Sequence, residues 1–92
     1  MNRSVIGDKL KEYGMELYHF NYGKRKNTYH VYRKPSRWNE CTLKSGFITV
    51  RGIEDIYLCA NEVLIVCRFG EMKVNIPYTF LKDFIITGWE EE

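Results

Sequence analysis

The chain has 92 residues, with 14 Lys and Arg against 12 Asp and Glu and a formal net charge of +2. That length makes a single domain over 1–92 with one small core, because a chain of this size buries only about 60–65% of its extended surface. Ile, Val, Leu, Tyr and Phe are spread evenly, which excludes a disordered chain, and no run approaches the ~18–20 apolar residues of a membrane helix.

The first predicted element is a helix. Ser4 can cap it, Asp8 lies in its first turn, Ile6, Leu10 and Tyr13 share one face, and Gly14 is placed to end it. Gly7 works against it by about 1 kcal/mol relative to alanine. A helix of about ten residues is marginal alone, so it is expected to pack on a sheet.

From Met15 the hydrophobic period changes to two. MELYHFNY, GKRK and NTYHVYRK read as a hairpin with a four-residue loop. With Tyr22 opposite Asn27, Phe20 meets Tyr29, Tyr18 meets Val31, and Glu16 meets Arg33 in an ion pair. That side is expected to face the core. The other side pairs His19 with His30 and Leu17 with Tyr32, and is expected to face solvent. Pro35 stops the second strand.

ECTLK and FITVR flank a predicted two-residue turn, Ser45-Gly46, which places Leu43 opposite Ile48 and Cys41 opposite Val50. Gly52 breaks the run. EDIYLCA, VLIVCRF and MKVNI then follow, separated by Asn61-Glu62 and Gly70-Glu71. Two-residue loops set Leu58 opposite Ile65 and Ile65 opposite Ile76, on one apolar face. VLIVCRF is apolar on both faces and reads as the central strand. The ending, IPYTFLKDFIITGWEEE, has two readings: a short helical turn over 78–83 with a closing strand over 84–87, or one helix over 79–86. Glu90, Glu91 and Glu92 read as a solvated tail.

Together these elements predict a β-rich α+β fold. It is an antiparallel meander of seven or eight short strands forming a small barrel or half-barrel, with the N-terminal helix over one opening and a short helical turn near the C-terminus. RFGEMKVNIPYTFLKDFII has the strand–turn–strand rhythm of SH3-like barrels, a likeness of shape alone.

Cys41, Cys59 and Cys67 are odd in number and include no C-x-x-C pair, so neither a disulfide framework nor a zinc ribbon is expected. Cys59 and Cys67 fall on opposite faces and cannot bridge. MNRSVIGDKLKEYG lacks the apolar run of a signal peptide, and a reducing, cytoplasmic setting is expected. His19 and His30 have no evident third ligand beside them, and two solvated histidines are expected. No metal and no cofactor are expected.

Charge is uneven along the chain. Residues 1–37 carry nine basic and three acidic residues, a net +6; residues 38–92 carry five and nine, a net −4. The segment YGKRKNTYHVYRKPSRW, from Tyr22 to Trp38, holds Lys24, Arg25, Lys26, Arg33, Lys34 and Arg37 and no acid. Lys and Arg neutralise phosphates or steer toward acidic surfaces, while exposed aromatics stack or anchor. Tyr22, Tyr32 and Trp38 are the aromatics expected to be exposed there. The expected function is a non-enzymatic binding protein, an inhibitor or adaptor of the kind phages and other mobile elements often encode. It would use these nine residues to occupy a surface of a larger protein or nucleoprotein complex. Direct nucleic-acid binding through the same hairpin is the alternative. A small ribonuclease-type toxin using His19, His30, Tyr32, Arg33 and Arg37 is a third reading. No membrane partner is expected, and an exposed edge strand would allow pairing with a second copy.

Overall fold

The computed structural model describes residues 3–20, 30–68, 72–81 and 83–90, apart from the side chains of His19 and Phe20. Helix α1 (Arg3–Tyr13) is followed by strands β1 (Glu16–Phe20), β2 (His30–Arg33), β3 (Trp38–Ser45), β4 (Ile48–Val50), β5 (Ile53–Leu58), β6 (Glu62–Cys67) and β7 (Lys73–Pro77). A 3-10 turn, Tyr78–Phe80, leads to β8 (Ile85–Glu90). The fold is the expected β-rich, antiparallel one with an N-terminal helix and a helical turn near the C-terminus. The strands form a five-stranded sheet, β1-β2-β5-β6-β7, and a three-stranded sheet, β4-β3-β8. They are not closed into a barrel, because β8 returns to β3 rather than to β7 or β1.

Ile6 and Leu10 of α1 are buried, one helical turn apart. The helix ends as the glycine predicts. Gly14 has φ 106°, its N–H donates to Lys11 O, and Met15 N–H donates to Leu10 O. These two bonds form a Schellman motif, and the left-handed residue at its centre favours glycine. Gly7 has a packing reason: a Cβ there would lie 2.7 Å from the Tyr32 hydroxyl, so the helix approaches the sheet closely over that residue.

The sheet registers keep the predicted faces but slide the turns. Ser45 pairs with Ile48 and Leu43 with Val50, so the turn is Gly46-Phe47 instead of Ser45-Gly46. Gly46 has φ 59°, the conformation that tight hairpins require at their first turn position. Likewise Leu58 pairs with Val63 and Ile56 with Ile65, and Cys59 N–H closes the hairpin on Glu62 O. Val63 pairs with Ile76 and Ile65 with Val74, and Cys67 N–H donates to Met72 O; the predicted Gly70-Glu71 turn lies outside the described residues. Each slip moves partners by two residues, which leaves the inward set inward. Ile56, Leu58, Val63, Ile65 and Ile76 are all buried. At the C-terminus the turn-and-strand reading holds, and β8 runs on through Gly88, Trp89 and Glu90.

The core lies between the sheets and α1. Its largest fully buried side chain is Phe84, whose ring centroid is 6.2 Å from that of Tyr13. Tyr13 OH donates to Phe84 O at 3.1 Å, and Lys9 Nζ sits 4.8 Å above the Phe84 ring. Helix α1 packs on β1, β2 and β8. It therefore spans the seam between the free edges of the two sheets on that side, much as a helix over one opening was expected to do.

Candidate binding surface

Of the nine predicted site residues, Tyr22, Lys24, Arg25 and Lys26 lie outside the described residues. Of the other five, Tyr32 and Trp38 are drawn into the fold, and Arg33, Lys34 and Arg37 are engaged by groups of the chain itself. Tyr32, expected to face solvent, is only 3% exposed. β2 pairs with β5, Tyr32 opposite Ile56, and this register turns the tyrosine to the core beneath Gly7. A bulge at Tyr18 also breaks the predicted hairpin register, so His19 meets Val31 and Phe20 meets His30. His19 and His30 are thus not opposite each other, and Tyr18, expected inside, is exposed. Trp38, expected as an exposed stacking residue, is 6% exposed, with its ring packed against Gly88 and Gly14.

The cations are similarly occupied. Arg33 stands opposite Glu16, as expected, but the ion pair expected between them gives way to another. Arg33 Nε donates to Asp55 Oδ1 at 2.9 Å and its Nη2 to Oδ2 at 3.4 Å, with the guanidinium 3.7 Å over the Tyr18 ring. Lys34 Nζ donates to Trp38 O at 2.7 Å. Arg37 pairs with Glu90 at 3.1 Å and approaches Glu16 at 3.9 Å, on the exposed surface where such pairs contribute about 0–1 kcal/mol. Asp55 is a buried acid, so Arg33→Met should destabilise more. Complete burial of both partners would make the loss 3–5 kcal/mol; water reaches Arg33, and about 2 kcal/mol is expected. Urea denaturation checks this, with Arg33→Met/Asp55→Leu recovering most of the loss.

The groups suited to other chemistry are dispersed as well. Cys41, Cys59 and Cys67 are free thiols. Cys41 is fully buried, and burial pushes its thiol up to about 12, so it stays protonated at neutral pH. Burial also pushes the Tyr78 hydroxyl up to about 12; it donates to Cys59 O. His30 is shifted below its ordinary value, first by desolvation and then by Arg3 and Lys11. Among the described residues no three His, Cys, Asp or Glu groups cluster in a way that could hold a metal.

A different surface emerges on the outer face of the three-stranded sheet. The register aligns Glu40 with Trp89, Thr42 with Thr87, and Lys44 with both Ile85 and Thr49. Trp89 is 70% exposed and Ile85 55%, and Phe47 at the β3–β4 turn is fully exposed. Arg51, just after β4, joins Lys44, Glu40, Thr42, Thr87 and Trp89 in lining a shallow pocket. A second, larger cleft of about 800 Å³ continues from Lys44 and Arg51 past Phe47 to Val74 on β7 and to Met72 just before it. Apolar groups therefore stand on both sides of two cations. No protein-family model, curated protein or solved structure matches this chain. Among the described residues no helix is long and apolar enough to cross a membrane.

The basic segment drew the sequence reading away from this surface. A signal was present in the alternation of Ile85, Thr87 and Trp89 against Phe84 and Ile86. It becomes legible once β8 is known to extend to Glu90 and to pair with β3.

Proposed function

We propose that this chain is a non-enzymatic binding protein, an inhibitor or adaptor that occupies a surface of a larger protein or nucleoprotein complex in the cytoplasm. The supporting observation is the exposure of Trp89, Ile85 and Phe47 around Lys44 and Arg51. The same fold buries Trp38, Phe84 and Tyr32 almost completely. Large apolar side chains grouped in solvent, with cations between them, are the features of a protein-binding patch, where Trp and Arg contribute most. The proposed anchor thereby moves from the basic hairpin to the sheet face. The three free thiols fit a reducing compartment.

Direct nucleic-acid binding is the competing reading, with Trp89 as a stacking platform and Lys44 and Arg51 on phosphates. One pair of experiments separates them. A stoichiometric complex that survives nuclease treatment and is lost with Trp89→Ala supports the protein-binding reading; a central aromatic anchor is worth about 2 kcal/mol or more, roughly thirtyfold in affinity. Fluorescence anisotropy with labelled single strands and duplexes at about 50 and about 200 mM salt tests the other. Tight binding with a steep salt loss would replace the proposal by a nucleic-acid function.

A further inference from the structure

The two stacked sheets have two seams. On one side α1 spans the free edges of β1 and β8. On the other side, β4 and β7 are the sheet edges, they do not pair with each other, and the cleft of about 800 Å³ lies between them. Edge strands present backbone N–H and C=O groups that an incoming strand can take up. We propose that this cleft is a slot for an extended segment of a partner protein, alternating aliphatic and acidic residues, that docks as an added strand. This deepens the binding-protein reading and rests on it.

Side-chain alternation on the two edges specifies the occupant. The inward row lining the cleft is apolar: Ile48 and Val50 on β4, Val74 on β7. The outward row is polar and cationic, with Thr49 and Arg51 on one side and Lys73 on the other. Lys44 and Arg51 line the cleft, and no carboxylate does among the described residues. A strand seated here directs every second side chain inward, where aliphatic groups fit, and the intervening ones outward, where acids meet Arg51, Lys44 and Lys73. Nucleic acid fits less well, because the cleft's inner side is aliphatic and Phe47 is the one aromatic lining it among the described residues. A second copy is disfavoured, because its own β4 and β7 edges would bring Arg51 and Lys73 against the same cations.

The test uses the whole chain, isotope-labelled for amide NMR, and two capped peptides, one alternating valine with glutamate and one valine with lysine. The glutamate peptide, titrated to about 1 mM, should shift amides of both β4 and β7, with the lysine peptide about tenfold weaker. Lys44→Glu/Arg51→Glu, exposed positions that leave the core intact, should reverse that preference. A copy of the glutamate peptide N-methylated at alternate residues should lose binding if backbone pairing holds it. Silence at β4 and β7, equal response to both peptides, no effect of N-methylation, tighter binding of an oligothymidylate at the same amides, or dimerisation through these edges would each overturn the proposal. The broader reading is judged separately: if the cleft is silent while the nuclease-resistant complex still depends on Trp89, the strand slot falls and the binding protein stands.

Discussion

Gly88→Ala is expected to destabilise the fold by about 3 kcal/mol, at the upper end for overpacking a well-filled site. A Cβ on Gly88 would lie 2.1, 2.2 and 2.4 Å from three atoms of the Trp38 ring. The ring cannot simply retreat. Its other edge already sits 2.9 Å from where a Cβ of Gly14 would be, at the end of α1. For a domain of this size, about 3 kcal/mol lowers the melting temperature by roughly 12–24 °C. Trp38→Ala alone should cost about 3–5 kcal/mol through the cavity it leaves. The double variant should be close to Trp38→Ala alone, since the new methyl then enters emptied space. Thermal unfolding of the three variants measures that coupling; strictly additive losses would mean that Gly88 and Trp38 do not touch. The consequence reaches the proposed surface, because the β3–β8 pairing around Gly88 holds Glu40 beside Trp89 and Lys44 beside Ile85.

Phe84→Ala should lower stability by about 3–5 kcal/mol, as truncation of a fully enclosed aromatic does. Phe84 is 1% exposed and stands where α1 meets the start of β8. Tyr13 flanks its ring, Lys9 lies over it, and the Tyr13 hydroxyl binds its carbonyl. Two milder variants divide the contributions. Tyr13→Phe removes the hydrogen bond alone and should cost about 1 kcal/mol; Lys9→Met removes the cation and should cost about 0.5–1 kcal/mol. Urea unfolding with an unchanged m-value would attribute the losses to packing. A loss below 1 kcal/mol for Phe84→Ala would mean that α1 is not anchored at this seam. The asymmetry between a closed seam at β1/β8 and an open one at β4/β7 would then lose its basis.

Much of the architecture was legible locally. The Schellman end of α1 follows from Gly14, and the inward rows of β5, β6 and β7 follow from strict alternation. Turn position was less legible. Asn61-Glu62 and Ser45-Gly46 are plausible two-residue turns, yet the chain uses Ala60-Asn61 and Gly46-Phe47. The faces survived because each error moved the register by two. At Tyr18 the error was a single-residue bulge, which turns side chains over, and the assignment of that hairpin's faces failed there.

The candidate site was less legible than the fold. Arg33 and Trp38 sit in a run of cations and aromatics that reads, residue by residue, as a grip for a partner. Arg33 is held by Asp55, 22 positions away along the chain, and Trp38 packs on Gly88, 50 positions away. Neither partner shares a pattern with the segment. Sequence by itself determined the helix, the strands and which side chains share a face, because these depend on backbone geometry over a few residues. In the first hairpin, at Trp38 and along β8, tertiary structure decided which side chains meet water. That choice rests on which strands pair across the molecule, and on where glycines let an aromatic ring come close. It buried Tyr32 and Trp38 and left Trp89 and Ile85 in solvent.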